Sequence, residues 1–517
     1  MSKYLFLAAY VIFVLVVGIK SKKESSGGGE AYLLGGRSLG PVITSFSFAA
    51  TYISGVCLVN AGMIGWKWGI GAIYNAIGNV LLSIMFMWLI LGRKSRIMSE
   101  KLAVQTLPDF LRVRYNSEFF KIAGSVIIFV FMVPYTATVF SSLSYLFESV
   151  FGLPYRFSLL AMATLGAFYL AIGGYKAAAK IDVAQGAIML VGGLVILFFT
   201  LKSDVVGGLS EGIARLSSIV TPEEGAIGEK LVSWNLDGSW TLLSGLIPFV
   251  LMTSFAPNGL PQLVSKFFAM KDPKQVKIGG IVCTILGLLI ITSVHVPGYF
   301  VRLFYPDQAA VDAAGGFNVL VPQILAKIMP DFFLSIVLLL VLSASMSTLA
   351  GLVLTSSAAL GMDFIKGYVK KDMKEEKVTL LMRVLSIVFV ILAVALALMN
   401  LGAVSKLQSL AWGAMSGFFL TPYMYGVLWK GTTKIGAMAG GIVGVACAVI
   451  LPLAFKMSTI NACFFALLVP IVVVPLVSLV TPKFDKKLID FVYSTDMSVT
   501  GYENIALEPE TQKSAQN

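Results

Sequence analysis

A chain of 517 residues that is 57% hydrophobic and only 13% charged lies outside the soluble range of roughly 45–50% apolar and about 25% charged. It could not cover a globule's surface with polar groups, so a cytosolic enzyme, a disordered chain and a fibre are excluded, and a polytopic membrane protein remains. The formal charge of +12 must be sorted by membrane side before it says anything about partners.

Apolar runs between charged or Gly/Pro-rich breaks give 13 expected spans, near 4–19, 41–64, 70–92, 122–147, 157–173, 182–201, 241–265, 278–304, 332–360, 382–401, 409–429, 435–455 and 461–481. Unbroken apolar stretches such as 187–199 and 336–342 argue against a barrel, whose strands alternate. The first run lacks a small-residue cleavage site and ends in Lys20, Lys22 and Lys23, so it reads as a retained span. Ser25 to Gly29 forms a short flexible linker. With the N-terminus outside and the C-terminus inside, 29 of the 39 Lys and Arg fall on the inner segments, as the positive-inside rule requires. The charge is therefore mainly a topology signal, and nucleic acid is not an implied partner. Segments 202–240 and 305–331 are the long external loops. The tail from Lys483 is polar, and nothing amounts to a soluble catalytic domain.

Cys57, Cys283, Cys447 and Cys463 all lie in apolar stretches and read as packing residues. The one histidine, His295, also sits in an apolar run, which excludes a histidine-based metal or catalytic site. Asp182 and Asp363 are expected at the inner ends of spans rather than at mid-depth, so a carboxylate proton relay is not expected. A cation path then has to use hydroxyls and freed backbone carbonyls, the hard oxygen donors that suit Na+. Freed carbonyls need broken helices. The second span carries a polar, small-residue island, Ser45 to Gly55. The seventh carries Pro257-Asn258-Gly259 and Pro261, which interrupt the backbone ladder. On the ninth, Ala344, Ser347 and Thr348 share one helical face; their hydroxyls either bind an ion or bond back to their own helix. Two broken helices five spans apart suit an inverted-repeat transporter.

These residues resemble the sodium:solute symporter family. The resemblance rests on Gly35-Gly36-Arg37-Ser38-Leu39-Gly40 before span 2 and on Gly173-Gly174-Tyr175-Lys176-Ala177 followed by Asp182 and Gln185. It also rests on Gly259-Leu260-Pro261 in span 7 and on Met346-Ser347-Thr348 with Ser356-Ser357 in span 9. It runs in order over about residues 1–480. Tyr175 departs mildly from the family's aliphatic residue or Phe, and Gln262 from its frequent His. The resemblance implies an all-α membrane protein with a leucine-transporter-type 5+5 inverted repeat. Its expected division is 1–38, 39–201 (spans 2–6), 202–240, 241–429 (spans 7–11), 430–481 and 482–517. It implies Na+-driven uptake by alternating access across the plasma membrane, with a small solute and the lipid bilayer as partners and no obligate protein partner.

Carried over residue by residue, the resemblance implies a Na+ site made by the carbonyls of Ala50, Ile53 and Ala344 and the hydroxyls of Ser347 and Thr348. It puts Asp182 on the inner exit path; the alternative is a helix-start carboxylate. The proline-transporting branch has Asp where Tyr52 stands, whereas Ala50-Thr51-Tyr52-Ile53-Ser54 looks like the pantothenate-permease branch. That points to a small carboxylate solute such as pantothenate or a monocarboxylate. Expected solute or gating contacts are Ser47, Tyr52, Tyr135, Thr138, Asn258, Trp412 and Ser416. Alternatives are a proline-like amino-acid symporter and an H+-coupled symporter of the same fold. A sensor would need a kinase domain, for which the segment after residue 481 is too short. A membrane-embedded enzyme would need intramembrane His, Asp or Glu clusters.

Overall fold

The computed structural model describes residues 2–21, 33–233, 245–400, 402–497 and 500–501; side chains at 2, 3, 15, 17–21, 165–177 and 375 are outside the description. The linker from Ser25 to Gly29, the side chains of Gly173 to Ala177 and the chain beyond 501 therefore lie outside the described residues. Nearly everything described is helical. The helices are α1 (Ser2–Ser21), α2 (Pro41–Tyr52), α3 (Gly55–Trp68), α4 (73–101), α5 (Leu107–Tyr115), α6 (Glu118–Phe151), α7 (Tyr155–Lys202) and α8 (Leu246–Ser254). They continue as α9 (Pro261–Phe268), α10 (Val276–Tyr299), α11 (Asp331–Val369), α12 (Glu375–Leu398), α13 (Val404–Leu428), α14 (Lys434–Phe455), α15 (Thr459–Val480) and α16 (Lys486–Tyr493).

Eight helices among the described residues are long and apolar enough to cross a bilayer, or nine if the bent pair Gln308–Ala314 and Phe317–Ile328 counts as one span. The sequence led us to expect 13 runs. The two breaks account for part of the shortfall, because each half-helix alone is short. The polar residues of α13 (Gln408, Ser409, Ser416, Thr421) account for another part. The apolar side chains left outside are the membrane signature. On α10, Ile278, Ile281, Ile285 and Leu288 are all exposed at helical spacing, a stripe that a water-soluble protein would bury. The expected loop between spans 5 and 6 is not an interruption of the backbone: α7 runs as 48 helical residues. Its length, about 72 Å at 1.5 Å per residue, is more than twice a hydrocarbon core. Among its described residues, Ala178–Lys202 passes as a span. Segments 202–240 and 305–331 carry short structure of their own, including the helix Leu209–Ser217 and the hairpin Val220–Thr221 with Gly225–Ala226.

Both broken helices have a local cause. Pro41 starts α2, where a missing N–H costs nothing, and α2 ends at Ile53, which is extended (φ −89°, ψ 108°). Ser54 then caps α3 by accepting from the Val56 amide. On the other broken span, Ala256–Gly259 makes one tight turn and Leu260 is extended (φ −81°, ψ 121°). Pro261 imposes that conformation on the residue before it and opens α9. The two broken units are joined at one end by backbone pairing. The Leu39 amide donates to the Ala269 carbonyl (3.3 Å) and the Lys271 amide to the Leu39 carbonyl (2.9 Å). Arg37 braces the joint by donating to the Phe268 carbonyl (3.1 Å) and the Val104 carbonyl (2.7 Å).

At the opposite end α3 is shut against α10. A Cβ on Gly65 would lie 1.8 Å from the Gly298 carbonyl oxygen, and one on Gly298 2.2 Å from the Ala61 carbonyl oxygen, so only glycine allows this approach. Arg302 seals it. Its guanidinium lies 3.5 Å from the centre of the Trp66 ring, donates to the Trp66 carbonyl (2.8 Å) and pairs with Glu224 (2.8 Å).

Candidate ion and solute site

The break in α2 changes what its carbonyls face. The Val56 amide turns to Ser54 Oγ and the Cys57 amide to the Ser54 carbonyl. The Tyr52 and Ile53 carbonyls thereby lose the amides an unbroken helix would give them. Against this break lies the middle of α11. Thr348 Oγ1 donates to the Thr51 carbonyl (2.9 Å) and to the Ala344 carbonyl of its own helix (2.9 Å). Ser347 Oγ donates to Asp182 Oδ1 (2.6 Å) and lies 3.4 Å from Thr51 Oγ1. Both hydroxyls thus place their protons on protein acceptors, which leaves oxygen lone pairs for a cation. Ala344 lies at this contact through its carbonyl, and Ala50 and Ile53, both buried, lie on either side of Thr51 in the chain. The hydroxyl and carbonyl oxygens met here are of the hard kind that Na+ takes.

Asp182 lies near the start of the span Ala178–Lys202, as expected. It is 1% exposed, accepts from Ser347 and from Ser47, and so lies against the hydroxyl cluster. Asp363 is buried as well and accepts from Thr106 Oγ1 (2.9 Å). Both are thus buried carboxylates near the ends of their spans, and the backbone around Asp182 is helical where spans 5 and 6 were expected to part. Ser47, expected at the solute, belongs to this ionic cluster.

Lys266 follows directly on the seventh expected span, 241–265, among the basic residues assigned to the inner side. It is 3% exposed, its Nζ donates to Ser47 Oγ (2.7 Å) and lies 3.6 Å from Asp182 Oδ2. Its only sequence signal was its place on the half-helix opened by Pro261. A small cavity, about 40 Å³, reaches the cluster, lined by Asp182, Lys266, Ser347 and Gln262 and also by Thr106 and Asp363.

The remaining candidates separate into three groups. Asn258, in the α8–α9 break, donates to the Leu82 carbonyl (2.8 Å) and the Phe255 carbonyl (2.9 Å), and its Oδ1 is buried without a partner. Ser416 of α13 donates to the Ala256 carbonyl of the same break (2.6 Å). Tyr135 and Trp412 meet edge to face at 5.4 Å, with the buried Trp412 Nε1 unpartnered. Tyr52 donates to Asn79 Oδ1 and lies 3.2 Å from the Thr253 carbonyl. Thr138 only bonds back to the Tyr135 carbonyl of its own helix (2.6 Å). Sequence reasoning missed the network behind Tyr52: Thr253 donates to Asn75 Oδ1 (2.5 Å), and Asn75 Nδ2 meets His295 Nε2 at 3.2 Å. Asn75 and Asn79, four apart in an apolar run, were its available signal.

The model of the sodium:solute symporter family matches residues 32–444. The chain belongs to that family. The sodium/proline symporters of Staphylococcus aureus strains JH9 and Newman are each 28% identical to it over 518 aligned positions, covering 96% of this chain and 95% of theirs. A Na+-coupled sialic acid symporter, solved substrate-bound and outward-open, superposes with a TM-score of 0.76 at 18% identity, over 94% of this chain and 99% of that one. That likeness is one of fold, the leucine-transporter type. The protein is thus a transporter and not an enzyme. Na+ is its coupling ion, a small molecule its cargo, and the plasma membrane, crossed several times, its place.

Proposed function

We propose that this symporter imports a small solute bearing a carboxylate, together with Na+ held by the carbonyls of Ala50, Ile53 and Ala344 and the hydroxyls of Ser347 and Thr348. The observation that carries the site is the Thr348 hydroxyl bridging the Thr51 and Ala344 carbonyls: it brings the α11 hydroxyls against the break that frees the α2 carbonyls. The solute binds between the two breaks, where Asn258 Oδ1 and Trp412 Nε1 are buried and unpartnered. Such polar atoms cost free energy until a ligand satisfies them. Tyr52, Tyr135 and Ser416 border the same region.

In this reading the N-terminus is outside and the Lys-rich ends are cytoplasmic. The conformer faces inward: the cavity runs from Asp182 to Asp363 on the inner side, while Gly65 and Gly298 close the outer end. Na+ and solute leave through the cavity past Asp182. The carboxylate is that of pantothenate or another monocarboxylate; the names of the Staphylococcus aureus relatives favour an amino acid, proline-like, as the second reading.

Uptake into vesicles with labelled proline and labelled pantothenate, under Na+ or H+ gradients imposed separately, tests this. Uptake of one of them that collapses without Na+ is expected. Uptake driven by H+ alone would sink the sodium assignment.

A further inference from the structure

The charge arrangement beside the proposed Na+ site carries one more inference, which rests on that reading. A buried carboxylate needs a cation or a metal beside it. Asp182 offers one oxygen to Ser347 and the other to Ser47, and both bonds come from hydroxyls. Two hydroxyl oxygens and a carboxylate at the head of a cavity are the donor chemistry of a hard monovalent cation. Here the protein supplies the cation itself. The Lys266 ammonium donates to Ser47 Oγ (2.7 Å) and stands 3.6 Å from Asp182 Oδ2. The four residues come from four helices, α2, α7, α9 and α11, so the arrangement is assembled by the fold and not by one local turn. Lys266 belongs to the half-helix that follows the α8–α9 break, the element on which the solute site is also built.

We propose that Lys266 is a tethered cation that fills a second cation position at Asp182 and so limits the site to a single mobile Na+. Asp182 and Lys266 together are neutral. The Ser347 and Thr348 oxygens then face one mobile charge, and no uncompensated carboxylate is left to recruit another. Removing the ammonium alone leaves Asp182 with its hydroxyls, next to a cavity, and without a counter-charge.

Equilibrium binding of 22Na+ to the purified full-length protein, with choline holding ionic strength constant, tests this. Lys266→Gln is expected to bind one more Na+ per protein at saturation than the unsubstituted chain. An unchanged count overturns the proposal, and a purely structural ion pair would leave the count unchanged. Where Lys266→Gln does not stay folded, Asp182→Asn serves. It leaves the ammonium uncompensated near the Na+ site and should weaken Na+ binding by at least roughly tenfold. Adding Lys266→Gln to it should restore most of that loss, and a double variant as weak as the single one overturns the proposal. The Na+ site itself is read separately: Ser347→Ala with Thr348→Ala retaining the unsubstituted count would fail that reading while leaving the Lys266 comparison intact.

Discussion

Ser347 and Thr348 use their protons differently. Thr348 spends its proton on backbone carbonyls on either side of the α2–α11 contact. Ser347 spends its proton on a carboxylate, a stronger, charge-assisted bond that raises electron density on the hydroxyl oxygen. Alanine at both positions removes the two hydroxyl oxygens of the proposed Na+ site and leaves Asp182 one hydrogen bond short. The Na+ concentration for half-maximal uptake should rise by roughly tenfold or more; an unaltered Na+ dependence would mean the ion binds elsewhere. The pair was legible in the sequence because Ala344, Ser347 and Thr348 fall on one helical face. Asp182 and Lys266 were not. Depth along a helix is not written in a one-dimensional string. Asp182 follows Gly173-Gly174 and Lys176, which read as a loop. Lys266 precedes Lys271, Lys274 and Lys277 and was absorbed into their topological charge.

Among the elements, α5 shows how the cavity's far end is held. Thr106 caps α5 by accepting from the Asp109 amide and donates its own proton to Asp363. Asp109 in turn accepts from Arg112 Nε (2.8 Å) and Lys121 Nζ (2.9 Å). Burial alone would raise the Asp109 carboxyl; Lys121 and Arg112 outweigh it and hold it below the usual carboxylate range. A carboxyl lowered by folding contributes stability in full above its unfolded value of about 3.9 and loses it as the pH falls through the folded value. Asp109→Asn should therefore cost about 1–3 kcal/mol near neutral pH. The melting-temperature gap between the two proteins should stay constant down to about pH 5 and shrink only below about pH 4. A gap that closes nearer neutrality would show that Asp109 is not held low. The breaks in α2 and α8–α9 were visible beforehand because Pro257, Pro261 and Ser54 dictate them locally. The backbone approach of Gly65 to Gly298 was not, since it joins residues more than two hundred positions apart.

For the whole molecule, the proposed inward-facing reading sets a cavity beside Asp182 against packed glycines at Gly65 and Gly298. Thr355 lines the cavity. Thr355→Cys should react with a membrane-impermeant maleimide in inside-out vesicles and be protected in right-side-out ones, which tests conformer and orientation together. Adding Gly65→Val should reduce that labelling several-fold, because the new side chain cannot fit against the Gly298 carbonyl and an overpacked contact costs about 1–3 kcal/mol. Equal labelling from both sides would contradict the assignment of a closed outer end. At this scale the sequence was informative about class and sidedness, because apolar excess and basic asymmetry are sums over many residues. It was poor at counting spans, because a helix broken for function no longer looks like one.

The joint between the two broken units has a consequence for how the protein tolerates change. Leu39 and Lys271 pair through amide and carbonyl groups, while the buried Leu39 side chain and the guanidinium groups of Arg37 and Arg96, which donate to the Phe268, Met270 and Lys271 carbonyls, keep the pairing in register. A scan replacing each residue by alanine would therefore register the arginines and Leu39 but leave the paired amide itself untouched. Proline at Lys271, which takes away the donated N–H, would read that amide directly, so the backbone share of the joint is the part that side-chain genetics does not reach.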